Sequence, residues 1–173
     1  ERQAGQPWLS STYALRGHCA LDAATYRLTQ LELEDGEIVV PRQGWVASGL
    51  RGSYAAGVAD IFSFSVGALR STRDPALVVP LAMRVNAHVG HEQARYDAVL
   101  RDSAGVLELT LAGRHQRRSG QGDLEFKLRP IVLAGGESVR AIAPAFGADV
   151  SAASGEIALS GGAQWGTGTQ RSG

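Results

Sequence analysis

The sequence predicts an all-β fold in which an antiparallel meander curls into a twisted, open sheet, an open β-groove, with one short helix. Two observations predict it. Apolar and polar residues alternate with period two in short runs separated by Gly, Asp, Ser and Pro. The best of these runs also pair with their sequence neighbours apolar against apolar, so that one face of the sheet becomes continuously apolar while the other stays mostly polar. A closed β-sandwich is the alternative reading, since strands at this spacing commonly form one. The uninterrupted order of the best strands speaks against it, because sandwiches send the chain between sheets.

Taken in order, Tyr26 and Leu28 are followed by Leu31 and Leu33, and the spacing of three in the middle predicts a bulge near Thr29-Gln30. Glu34-Asp35-Gly36-Glu37 reads as a hairpin turn leading into Ile38-Val39-Val40-Pro41. Val46, Ser48, Leu50 and Tyr54 alternate, and a turn near Ala56-Gly57 sets Leu50 opposite Phe62 and Val46 opposite Val66, with Phe64 between. The link from Arg70 to Pro80 contains Asp74-Pro75 and reads as a loop crossing an edge.

Four strands then follow in their clearest form. Their apolar residues are Leu81, Met83, Val85, Ala87 and Val89; Ala94, Tyr96, Ala98 and Leu100; Leu107, Leu109 and Leu111; and Leu124, Phe126 and Leu128. An antiparallel pair fixes the sum of opposed residue numbers, so register can be tested directly. A turn at His91-Glu92 opposes Met83 to Leu100 and Ala87 to Tyr96. A turn at Asp102-Ser103-Ala104-Gly105 opposes Leu100 to Leu107 and Tyr96 to Leu111, and the link Gly113 to Gly122 opposes Leu109 to Phe126. The reverse face then carries Asn86, Asp97, Thr110 and Glu125 in one row, with Arg84, Val99, Glu108 and Lys127 in the next. Pro144 can open a short helix with Phe146 and Val150 on one face and Gly155 closing it, after which Gly155 to Trp165 returns to strand.

Scale turns this pattern into a functional question. Nine strands at roughly 4.8 Å spacing and about 30 Å length give a face far beyond the roughly 300–600 Å² apolar patch of ordinary monomers. Such a face needs a second sheet, another protein or an apolar ligand to cover it. Residues 1–173 form one β-rich segment with no dividing linker, and the ends, Glu1-Arg2-Gln3 and Gly168 to Gly173, read as those of a piece of a longer chain.

Composition and motifs bound the chemistry. With 17 Lys+Arg against 17 Asp+Glu the formal net charge is +0, which removes the attraction a general nucleic-acid binder needs. Cys19 is the single cysteine and reads as a small buried apolar residue. His88, His91 and Glu92 lie close in sequence, with His115 able to join from a loop, but the strand geometry points His88 and His91 to opposite sides, so an exposed turn is preferred to a metal site. Arg114-His115-Gln116-Arg117-Arg118 reads as a solvated basic loop. Asp97 and Glu108 sit on the polar face, no Gly-x-Ser-x-Gly elbow is present, and Gly120-Gln121-Gly122 opens a strand rather than a helix. The expectation is a non-enzymatic chain with no metal and no cofactor.

Several stretches also resemble the periplasmic YdbH-type proteins of the AsmA-like, bridge-type lipid-transfer superfamily. They are Pro80-Leu81-Ala82-Met83-Arg84-Val85, Tyr96 to Asp102 before the Gly105 turn, Ala112-Gly113-Arg114-His115, Gly122 to Ile131, Ile142-Ala143-Pro144, and Gly155 to Gly161 running on to Trp165. The likeness covers best residues 80–165. It implies a parent chain anchored in the inner membrane, a periplasmic β-groove passing phospholipids toward the outer membrane, and envelope proteins at the groove ends. Acyl chains would then lie against Phe62, Phe64, Met83, Val85, Tyr96, Leu100, Leu107, Leu109, Leu111, Leu124, Phe126 and Leu128. The competing expectation is a non-catalytic interaction or carbohydrate-binding module, with Trp8, Trp45 and Trp165 as stacking platforms in the latter case.

Overall fold

The computed structural model describes residues 12–74, 76–147, 150 and 153–166. Nine strands run β1 (Thr12–Leu21), β2 (Leu28–Val40), β3 (Trp45–Ala55), β4 (Asp60–Ser71), β5 (Leu81–Val89), β6 (Gln93–Asp102), β7 (Glu108–Gln116), β8 (Gly122–Ala134) and β9 (Ser154–Trp165). Between the last two lie α1 (Gly136–Ile142) and α2 (Pro144–Gly147). The sheet order is the sequence order, β1 to β9, and every pair is antiparallel.

This is one open, curled sheet, and the sandwich alternative is overturned. Among the described residues only Leu50, Val66 and Ile131 are buried apolar side chains, and none is fully buried. Two facing sheets would dry out whole rows of leucines and phenylalanines; here those rows remain half-exposed. The accessible surface of 12428 Å² is correspondingly larger than the roughly 8,000 Å² expected of a compact chain of 18.2 kDa.

The β5–β6 register is the one the alternation predicts, with Met83 opposite Leu100, Val85 opposite Ala98 and Ala87 opposite Tyr96. The next two pairs differ by one pleat. Leu100 faces Leu109, Tyr96 faces Gly113, and Leu111 faces Phe126. Leu107 therefore lies just outside β7 rather than within the apolar row. The cause is local: the Asp102 carboxylate accepts the Leu107 N–H at 3.0 Å and Gly105 takes φ +70°, so the turn closes over 103–107 instead of over two residues. The polar rows shift with it, becoming Asn86–Asp97–Ala112–Glu125 and Arg84–Val99–Thr110–Lys127. In β3–β4 the loop spans Ala56–Ala59, so Leu50 meets Val66 and Tyr54 meets Phe62.

Asp102 is the one buried polar side chain among the described residues, 6% exposed. Asp102→Ala is expected to strand the Leu107 N–H and cost about 1–3 kcal/mol. A lower urea midpoint at unchanged slope would register that loss.

The Glu34–Glu37 hairpin turn does not form. β2 runs straight through it, with a bulge where Arg16 opposes Asp35 but Gly17 opposes Leu33. Gly36 is buried beneath its neighbours, where a Cβ would come within 2.6 Å of Leu15 Cδ2, so this glycine serves a close approach rather than a turn. The bulge expected near Thr29 is present, since Ala20 faces Gln30 while Leu21 faces Leu28. At the level of the Glu34 bulge, β3 carries Gly49 at φ +62°, opposed by Gly67 of β4, whose register against β5 slips between Val66 and Leu69. One extra residue in each of three adjacent strands restores the apolar face, so Ala47, rather than Val46 or Ser48, shares that face with Leu50. β8 slips between Leu128 and Ile131, which places Pro130, lacking an N–H, where no ladder bond is missed.

The Arg70–Pro80 link crosses no edge, because it joins neighbours β4 and β5. The helical segment begins earlier than Pro144, with α1, and α2 is a single turn; Val150 lies beyond it, and Ala148, Asp149, Ser151 and Ala152 lie outside the described residues. This segment reaches from β8 to the β4–β5 link, where Val79 N–H donates to Ile142 O (3.1 Å) and Ala145 N–H to Ala76 O (2.9 Å).

Candidate lipid-binding face

Cross-strand partners in a sheet point to the same side, so the registers define the apolar rows. One runs Leu50–Val66–Met83–Leu100–Leu109–Leu128–Leu159. The next runs Leu33–Gly52–Phe64–Val85–Ala98–Leu111–Phe126–Gly161, and a third Cys19–Leu31–Tyr54–Phe62–Ala87–Tyr96–Gly113–Leu124–Ala163. Eleven of the twelve residues expected to touch acyl chains fall in these rows, the exception being Leu107. Sequence reasoning missed Leu31, Leu33, Leu50, Tyr54, Val66, Ile131, Ile157 and Leu159. The alternation of Ile157 and Leu159 carried the signal for β9, whereas the bulges hid the contributions of β2 to β4.

Exposure follows the same two-sided logic. Along β6 to β8 the apolar-face residues are half-buried and most of those between them are exposed, as on the inside of a curl. Toward the sheet margins shelter fades: Leu15 and Leu159 are each 55% exposed, and Cys19 is exposed rather than buried.

Four aromatic residues of this face lie against glycines. Phe64 faces Gly52, Tyr96 faces Gly113, and Phe126 and Trp165 face Gly161 and Gly122 in direct register. The Tyr96 hydroxyl donates to Asp123 O at 3.4 Å across the top of Gly113. At the end of the β7–β8–β9 rows Trp165 Nε1 donates to His115 Nδ1 (3.3 Å), the two rings stacked 6.2 Å apart. Tyr54 and Phe62 pair at 4.7 Å.

The opposite face is wet and charged. Ser63 bonds Asn86, which donates to Asp97 at 3.0 Å. Arg114 belongs to β7 rather than to a loop, and its 2.6 Å bond to Asp123 holds the guanidinium above its ordinary pKa. Arg118 pairs with Glu92. Beside the Gly49–Gly67 bulges a hollow of about 480 Å³ is lined largely by Arg51, Ser65, Arg84, Val99 and Arg101 of this polar face.

No family model, curated protein or solved structure matches this chain. Among the described residues no His, Cys, Asp and Glu cluster could hold a metal ion, and no helix is long and apolar enough to cross a membrane. Asp97 and Glu108 stay on the polar face, Asp97 exposed and Glu108 half-buried.

Proposed function

We propose that this chain is a segment of a periplasmic lipid-transfer protein whose apolar β-face shields phospholipid acyl chains on their way between inner and outer membrane. One observation carries the reading: the apolar rows extend over the sheet, yet among the described residues only three apolar side chains are buried and no second layer covers the rows. Each methylene removed from water is worth about 0.8 kcal/mol, so a lipid tail on these rows gains many times thermal energy. The rows hold no charged side chain between Met83 and Leu128, so a tail can shift along them while its headgroup stays at the wet rim. No covalent step is needed. Direction would come from partners or an energy source outside the segment, in keeping with the resemblance to YdbH-type proteins and an anchor elsewhere in the parent chain.

The test is solvent extraction of the purified chain followed by mass spectrometry. Phospholipid in near-stoichiometric or greater amount is expected. A chain that is folded, monomeric and free of lipid after expression in an envelope-bearing cell would overturn the reading in favour of an interaction module.

A further inference from the structure

We infer that Arg51, Ser65, Arg84 and Arg101, around the hollow on the polar face, form a binding site for a small phosphate monoester, on the side of the sheet away from the acyl-chain rows. Arg51, Ser65 and Arg84 stand in direct register on β3, β4 and β5, and therefore point to one side. Val99 continues that line on β6, and Arg101 is the next residue of β6 on the same face. Arg51 and Arg84 start two strand spacings apart, roughly 10 Å, and Arg84 lies diagonally from Arg101 at roughly 7–8 Å. All three line one hollow. Its floor is backbone, because the bulges here fall on Gly49 and Gly67, which approach so closely that a Cβ on Gly49 would lie 3.4 Å from Gly67 Cα. About 480 Å³ stays open, within the roughly 300–1,000 Å³ of small-molecule sites.

Charge decides what the hollow takes. Other arginines are neutralised within the fold, Arg16 by Glu34, Arg114 by Asp123 and Arg140 by Glu137. No carboxylate lines the hollow, and among the described residues Arg51, Arg84 and Arg101 form no ion pair. The carboxylates around it are otherwise placed: Glu108 opposes Arg101 without bonding it, Asp97 is bonded by Asn86, and Glu34 is held by Arg16. Like charges gathered on one sheet face repel, and an anion between them removes that cost. Ser65 is half-buried and its hydroxyl has no partner among the described residues. Three guanidinium forks and a hydroxyl offer more donors than the roughly four lone-pair sites of a carboxylate accept. A phosphate monoester brings three terminal oxygens and a charge of about −1.5 to −2 at pH 7. The half-buried Ala82 and Val99 give its carbon portion an apolar wall.

The full chain is titrated calorimetrically with glycerol 3-phosphate and with succinate, at low ionic strength because salt screens exposed arginines. It is also floated with phosphatidylcholine vesicles with and without phosphatidic acid, whose headgroup is the same monoester. Glycerol 3-phosphate is expected to bind more tightly than succinate. Arg84→Gln, at an exposed position, is expected to weaken it by roughly tenfold or more, the lower end of what a hydrogen bond to a charged group is worth. Arg84→Lys keeps the charge without the fork and is expected to lose less. Arg27→Gln removes the same charge from the exposed turn before β2 and is expected to change nothing. Binding of the soluble ester assigns a free phosphate compound to the site. Flotation that needs phosphatidic acid and is lost in Arg84→Gln, without soluble binding, assigns the same chemistry to a membrane surface. No binding in either arm, equal affinity for succinate, or equal losses in Arg84→Gln and Arg27→Gln would each overturn the inference and leave the lipid-binding reading of the opposite face untouched.

Discussion

Leu109→Arg is expected to strip bound phospholipid from the chain while its β-sheet circular dichroism stays intact. Leu109 sits mid-row between Leu100 and Leu128 and is only half-buried, so a guanidinium there can still reach water in the lipid-free protein. Once acyl chains cover the row the same charge meets hydrocarbon, at a cost of about 2.5–3.5 kcal/mol at a membrane centre, or on the order of a hundredfold in affinity. Arginine can bend its charge toward a wet rim, so Phe126→Asp, whose short side chain cannot, is the companion variant. Native mass spectrometry reads the lipid and circular dichroism the fold. If both variants unfold, the rows are covered by protein, because only a buried unpaired charge is that destructive; if both keep their lipid, cargo does not lie on these rows.

Leu50→Ala is expected to be the most damaging single truncation for stability. Leu50 is 2% exposed, facing Val66 across the strand pair, and its Cβ lies 3.4 Å from where a Gly36 side chain would begin. Deleting a leucine so enclosed costs about 2–5 kcal/mol. For a chain of this size the melting temperature falls by roughly 5–15 °C. Leu159→Ala, at 55% exposure on the margin strand, supplies the control and should shift the melt by only a degree or two. A Leu50→Ala melt no lower than that of Leu159→Ala would mean the inner face holds its shape without this contact.

Much of the fold was legible because period-two alternation survives almost any error in pairing. A slip of two residues leaves every apolar side chain on the same face, which is why Leu100 could be matched to Leu107 instead of Leu109 without disturbing the face itself. What decided the true partner was a side chain, Asp102, reaching back to the Leu107 N–H. Single-residue bulges are the opposite case. They move side chains to the other face, and the Gly49 and Gly67 insertions sent Val46 and Ser48 outward while Ala47 turned inward. Glu34-Asp35-Gly36 has the composition of a turn, and only the packing of Leu15 and Leu50 around Gly36 makes it a strand interior. Whether the apolar face is roofed was undecidable from alternation, since a sandwich and an open sheet share that pattern. The aromatic–glycine pairs were hidden for the same reason, because they exist only once the register is known.

The plain neighbour-to-neighbour order of the strands has a mechanical consequence. By backbone contact each strand meets only the ones before and after it. The links that reach further among the described residues include two side-chain bonds that skip a single strand, Tyr96 to Asp123 and Trp165 to His115, and the bonds between the helical segment and residues 76–79. Disruption can then begin at β1, peel inward one ribbon at a time and stall at the Leu50–Val66 pair, much as damage to a stacked repeat array stays near the end where it started. The surface offered to cargo is built from modules that can loosen separately, and widening at one margin need not be felt at the other.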